Sequence, residues 1–260
     1  MFLDKLLGFF TTRKLEVKQY ADVLLDAYSQ KKTANASLTT ALEFAKKNNM
    51  NDSEIKEGQE KFAEELEFHL MTVEDMTERE MEETGDLINS LSLGSNKKNK
   101  LLKMALDRYL ILQALNGTPH EFNKEKMPLP IVYKNGEKLY YLHAAINVKK
   151  QKKTVGVNFS GPVMSFRICK GLRYRVGSMN VSRETVESYD MSDQGMFYIT
   201  NMRIGFLGKT QFSFGLNKLV SIQNGDAGLL FYKEGRQNPF MISFDDYDVP
   251  CTILSCLLNQ

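Results

Sequence analysis

The sequence predicts an α+β protein in which a helical bundle precedes an antiparallel β-barrel or sandwich capped by a C-terminal helix. Hydrophobic residues recur with the helical period up to about residue 120, and they alternate with period two from Pro128 onward. The second half is also divided by turn residues into many short apolar runs. We therefore place a helical bundle at 1–120, a linker and first hairpin at 121–137, and a β-domain with its helix at 138–260.

The first half is divided into five or six short helices by start and stop signals. Thr77 and Glu80 have the spacing of a capping box, and Asn116–Gly117 is a typical helix end. Residues 35–93, which include "KNNMNDSEI" and "INSLSL", resemble the tellurite-resistance-type helical domains. The acidic loop positions that bind metal in that family have no recognisable counterpart here, so the resemblance implies no metal site.

The N-terminal stretch "MFLDKLLGFF" is predicted to be an amphipathic helix. Asp4 and Lys5 interrupt its apolar run, which argues against a cleaved signal peptide, and no run reaches the roughly 18 residues of a membrane span. Packing on its own bundle or on a second subunit is the first hypothesis, and burial in a membrane interface is the alternative. The candidate contact residues are Phe2, Leu3, Leu6, Leu7, Phe9 and Phe10.

The second half consists of predicted short strands and one helix. Asn135–Gly136, between apolar alternating runs, predicts a hairpin, and "GMFYITNMRIGFLG" predicts two strands joined at Asn201–Met202. We expect Phe197, Ile199, Ile204 and Phe206 in the interior. An apolar stripe from Val249 to Leu258 predicts a helix that packs on the open end of the β-domain.

This order resembles bacterial and prophage pleckstrin-homology-like (PH-like) domains of the GRAM type over about residues 138–258. The phrases that carry the resemblance are "GMFYITNMRIGFLG", "KGLRYRVG" and "YKEGRQNPF". Met202 stands where such domains usually have lysine. The resemblance implies a small β-domain with a C-terminal helix, in a bacterial or prophage protein, and implies no activity.

Two basic clusters are the candidate binding sites for an anion or a partner. The first comprises Lys149, Lys150, Lys152 and Lys153, predicted as a loop between early strands. The second is a predicted hairpin in which alternation sends arginines to one face, and it comprises Arg167, Lys170, Arg173 and Arg175. Like charges opposed across a hairpin disfavour it, which points to an anionic partner. Neutralisation by acidic side chains of the same chain is the simpler alternative.

No spacing typical of a nucleophile, a carboxylate pair, a metal site or a phosphate loop is present, so we predict neither an enzyme nor a cofactor. The net charge of +2 argues against nucleic acid as a partner. Three cysteines without close pairing indicate a reducing compartment, the cytoplasm.

The leading hypothesis is an interaction module that binds a protein or an anionic ligand. Two alternatives remain open. One is a peripheral protein of the inner membrane face that binds anionic lipid head groups. The other is a phage-encoded factor that inhibits a host protein. Self-association through the N-terminal helices also stays open.

Overall fold

The computed structural model describes the backbone of residues 2–125, 129–153, 164–169, 172–176 and 186–259. Side chains are described for residues 12–125, 129–150 and 189–259. The chain divides into two compact units, Met1–Leu112 (the helical unit) and Gln113–Gln260 (the β-unit). The α+β class predicted from the sequence is confirmed. No helix in the described part of the chain is long and apolar enough to cross a bilayer.

Five helices precede the first strand: α1 (Phe2–Ser29), α2 (Ala34–Lys47), α3 (Asp52–Thr72), α4 (Glu78–Ser90) and α5 (Ser95–Leu115). The first two apolar segments of the sequence merge into the single helix α1. The predicted capping box is confirmed at α4, where Glu80 N–H donates to the Thr77 hydroxyl and Thr77 N–H donates to the Glu80 carboxylate. The core is formed by apolar side chains of all five helices, including Tyr20, Leu24, Phe62, Leu66, Leu87 and Ile88.

At two glycines of the helical unit, replacement by alanine is expected to change stability in opposite directions. A Cβ at Gly58 would lie 2.5 Å from the ring of Tyr20, which is fully buried and has no room to move. We expect Gly58→Ala to destabilise the unit by roughly 1–3 kcal/mol. At Gly85 in α4 the nearest atom would be a Leu102 methyl at 3.7 Å. Gly85→Ala should therefore stabilise the unit by about 0.5–1 kcal/mol through helix propensity.

Amide hydrogen exchange of α3 and α4 measures both effects within one unit. Slower exchange in Gly85→Ala and faster exchange in Gly58→Ala is the expected pair of results. Equal protection in the two variants would mean that α1 and α3 do not pack as closely as the structure places them.

The β-unit contains a seven-stranded antiparallel sheet in the order β6-β5-β4-β1-β9-β8-β7. Its strands are β1 (Leu139–Lys153), β4 (Val186–Thr200), β5 (Arg203–Leu207), β6 (Gln211–Gly215), β7 (Leu219–Gly225), β8 (Gly228–Lys233) and β9 (Phe240–Ser243). A separate hairpin of β2 (Met164–Cys169) and β3 (Leu172–Val176) lies beside the sheet, with β3 next to β7. The chain ends in α6 (Asp248–Asn259), which lies against β1 and β2.

The hairpin predicted at Asn201–Met202 is confirmed. Phe197 lies across from Phe206, and Ile199 lies across from Ile204. All four side chains are fully buried, as expected from alternation. They form the centre of the β-unit core because cross-strand partners point to the same face of a sheet.

The sheet is not closed into a barrel, since β6 and β7 are its end strands. Aromatic stacking connects β6 with β9 instead. The centroids of the Phe212 and Phe240 rings are 3.9 Å apart. The Arg236 guanidinium carbon lies 3.7 Å from the centroid of the Phe240 ring. The sheet is therefore strongly curled, and side-chain packing rather than a hydrogen-bonded ladder brings these strands together.

The first predicted hairpin is not formed, because the described residues before Leu139 contain no strand. Gly136 has the positive φ of +72° that the Asn135–Gly136 turn requires. Leu139 forms an isolated antiparallel bridge with Phe122, and the Asn135–Gly136 turn is hydrogen-bonded to the turn between β4 and β5.

Candidate functional site

The Thr200–Arg203 turn between β4 and β5 is occupied by contacts within the β-unit. Asn201 donates to the Gly136 carbonyl (3.0 Å) through its side chain and to the Lys138 carbonyl (3.1 Å) through its backbone. Lys138 N–H donates to the Asn201 side chain (2.8 Å) in return. These bonds fasten the Asn135–Gly136 turn to the sheet, so Asn201 is structural.

A buried ion pair completes this cluster. Glu137 is fully buried and accepts hydrogen bonds from Arg203 (2.7 Å), the Thr200 hydroxyl (2.9 Å) and Lys134 N–H (2.8 Å). Burial opposes ionisation of Glu137, but the hydrogen bonds from these donors outweigh it and lower its pKa. Arg203 also donates to the Val132 carbonyl (2.7 Å). We call these residues the Glu137–Arg203 cluster, and its polar groups are used to hold the chain together.

The predicted lysine loop is a strand. β1 runs through it to Lys153, and β4 pairs with it as far as Val186, so the residues continue a ladder rather than form a loop. Lys149 and Lys150 are exposed, and Lys149 lies across from Asp190. Hydrogen bonds from Ser192 lower the pKa of Asp190, and the positive charge of the nearby Lys149 lowers it further. The side chains of Lys152 and Lys153 lie outside the described residues.

The predicted arginine hairpin is present as β2 and β3. The register places Arg167 across from Arg173, and Arg175 across from Ser165. The side chains of these three arginines, and Lys170 altogether, lie outside the described residues. The same holds for the side chains of the N-terminal candidates at 2–10, whose backbone belongs to α1. The binding roles of both sets stay predictions.

Strand β6 has an open edge at the end of the sheet. Within the described part of the chain it pairs with β5 only, so its other edge offers backbone N–H and C=O groups. Lys209 and Lys218 are exposed. Lys209 lies two residues before the strand, and Lys218 lies at the end of the short 3₁₀ helix Leu216–Lys218 that follows it. Among the described residues neither is in an ion pair closer than 4.0 Å.

The turn before β6 is fixed by a buried carboxylate. Asp193 accepts hydrogen bonds from the backbone N–H groups of Lys209 (2.8 Å) and Thr210 (3.1 Å) and from the Asn147 amide (3.1 Å). Burial opposes its ionisation, but the bonds from Thr210, Asn147 and Lys209 lower the pKa of Asp193. The start of the open edge is thus held in a fixed geometry.

The helical unit contains a cavity of about 550 Å³ between the end of α1, the end of α3 and the start of α4. Tyr28, His69 and Thr84 form part of its lining, and Ala34, Met76 and Leu87 are its buried apolar residues. Charged side chains of both signs surround its opening, namely Lys31, Lys32, Arg79, Asp75, Glu80 and Glu83. A volume of this size is typical of small-molecule sites.

Sequence reasoning missed this cavity. The lining residues come from four helices and the segments between them and are separated by up to about sixty positions, so no local spacing indicates them. The spacing of Thr77 and Glu80 predicts a helix start and no more. No sequence signal shows that Lys31 adopts a left-handed backbone conformation at the end of α1.

Two further reactive side chains of the β-unit are Cys251 and His143. Burial, followed by the charges of Asp248 and Asp246, raises the pKa of the Cys251 thiol to about 12, which leaves it protonated. The His143 ring contacts the Ala144 carbonyl (2.7 Å) and stacks on Tyr141. Among the described residues, no group of three or more His, Cys, Asp or Glu could hold a metal ion.

Comparisons with protein-family models, curated proteins and solved structures each find no match to this chain. We therefore infer function from the residues and their geometry.

Proposed function

We propose that the chain is a non-catalytic interaction protein whose β-unit is a PH-like domain that binds an acidic, extended segment of another protein. The open edge of β6 between Lys209 and Lys218 is the observation that supports this function. An extended segment adds to such an edge through backbone hydrogen bonds, and nearby charges select its sequence.

The charge distribution favours an acidic partner. The β-unit contains 18 Lys and Arg against 12 Asp and Glu, a net charge of +6, whereas the helical unit contains 16 against 20, a net charge of −4. Two copies of β6 that paired edge to edge in antiparallel register would bring the flanking lysines of one copy near those of the other. Such pairing is disfavoured by repulsion, so the edge suits a different chain with carboxylates at its ends.

Selection from a random peptide library against the full chain tests this function. We expect enrichment of acidic peptides with alternating β-branched or aromatic residues. Their binding should slow amide hydrogen exchange at Gln211–Gly215. Lys209→Gln with Lys218→Gln should weaken binding by roughly two- to thirtyfold, since each exposed ion pair contributes about 0.2–1 kcal/mol.

The matched control is Lys14→Gln with Lys18→Gln, which removes the same charge from exposed positions of α1. It should leave peptide affinity unchanged. Enrichment of basic peptides, or binding without protection of β6, would contradict the proposed function.

A further inference from the structure

Lys31 lies at the opening of the helical-unit cavity. Lys31 has φ +57° at the end of α1, a region that favours glycine. Its ammonium pairs with Glu80 in the first turn of α4. Backbone hydrogen bonds stabilise this helix end, from Lys31 N–H to the Tyr28 carbonyl (2.8 Å) and from Lys32 N–H to the Ala27 carbonyl (3.3 Å). The Lys31–Glu80 pair connects two walls of the cavity.

The floor of the cavity combines an aromatic ring with buried apolar groups. The Tyr28 ring lies edge-on to His69, with 5.4 Å between ring centroids, and Met76 and Leu87 are nearly inaccessible. The Thr84 hydroxyl donates to the Glu80 carbonyl (2.6 Å), so the Tyr28 hydroxyl is the donor in its bond to Thr84 (3.1 Å). The lone pairs of the Tyr28 oxygen thus remain as acceptors, and the floor suits a flat, largely apolar ligand.

The opening carries three basic and three acidic side chains, but two of the acidic ones are held at helix starts, where the helix dipole offsets part of their charge. Glu80 and Glu83 each accept a backbone N–H at the start of a helix, at 2.8 and 2.9 Å. Asp75 lies within electrostatic range of Lys31. Lys32 and Arg79 are exposed, and neither is in an ion pair closer than 4.0 Å within the described residues.

We infer that this cavity binds a small organic anion with a flat aromatic body. The body lies against Tyr28, Met76 and Leu87, and the carboxylate lies at the opening, between Lys32 and Arg79. A neutral ligand of the same shape gains the apolar contacts only. A cation of the same shape is disfavoured by both basic side chains. This site lies in the helical unit and is independent of the β6 edge.

Three probes that share one ring system test the assignment on the ¹⁵N-labelled full chain. Indole-3-acetate is the anion, indole-3-acetamide is the neutral analogue and tryptamine is the cation. We expect indole-3-acetate to shift the backbone amide resonances of Lys31, Lys32 and Arg79. It should bind roughly two- to thirtyfold more tightly than the acetamide, as expected for two exposed ion pairs. Tryptamine should bind more weakly than either.

Lys32→Gln with Arg79→Gln should remove the preference for the anion while leaving acetamide binding unchanged. The control is Lys18→Gln with Lys56→Gln, which changes net charge equally at exposed positions about 15 Å from Tyr28 and 20 Å from His69 along their helices. It should behave as the unmodified chain does. The inference is overturned if millimolar indole-3-acetate shifts no cavity resonance or if tryptamine binds as tightly as indole-3-acetate. It is also overturned if Lys32→Gln with Arg79→Gln keeps the preference for the anion.

Discussion

Arg203→Met is expected to lower the unfolding free energy of the β-unit by about 3–5 kcal/mol, because it leaves the fully buried Glu137 carboxylate without its cation. The Thr200 hydroxyl and Lys134 N–H remain as donors, but neither carries a charge. Amide exchange of β4 and β5 reports the loss within the β-unit alone. Arg79→Met is the matched control, since Arg79 is exposed and its replacement should change stability by no more than about 0.5 kcal/mol.

The same cluster predicts a pH dependence. The folded-state pKa of Glu137 lies below its ordinary value of 4.5, so ionised Glu137 stabilises the β-unit above that pH. This contribution is lost as the pH falls below about 4.5 and through the lowered folded-state pKa. The difference in stability between the unmodified chain and Glu137→Gln should therefore be largest near neutral pH and shrink in acid. A difference that is constant from pH 7 to pH 3 would contradict the assignment.

The parts of the fold that depend on local signals could be predicted from the sequence. The capping residues Thr77 and Glu80 mark the start of α4, and period-two alternation around Asn201–Met202 gives both the turn and the buried face. Local pattern also indicated the helix that ends the chain, where Asp248 N–H donates to the Asp246 carboxylate (2.8 Å) at the helix start.

The errors arose where distant residues decide the structure. Asn135–Gly136 has the spacing of a hairpin turn, but Glu137 pairs with Arg203, 66 positions away, and this pair holds the turn on the sheet. The lysines at 149–153 have the composition of a loop, but β4 is long enough to pair with them. Tyr28, His69 and Thr84 meet only because three helices pack together, so the cavity they line was not predictable from spacing.

Phe197→Ala is expected to destabilise the β-unit by about 3–5 kcal/mol, as is typical of a fully buried phenylalanine. Its ring contacts Phe244 at 5.0 Å, Phe231 at 5.3 Å and Tyr141 at 6.4 Å, so truncation leaves a void between three strands and the segment before α6. Phe197→Leu should recover more than half of the loss, since it refills most of the volume with apolar atoms.

Phe68→Ala provides the contrast, because Phe68 is 68% exposed and the same truncation there creates no void. It should change stability by no more than about 0.5 kcal/mol. Amide hydrogen exchange reports on each unit separately, so Phe197→Ala should speed the exchange of β1, β4 and β8. If those strands kept the protection of the unmodified chain, Phe197 would not be central to the β-unit core. Loss of stability in Phe197→Ala, together with its recovery in Phe197→Leu, would show that the interior of the curled sheet requires filled volume rather than the aromatic ring itself.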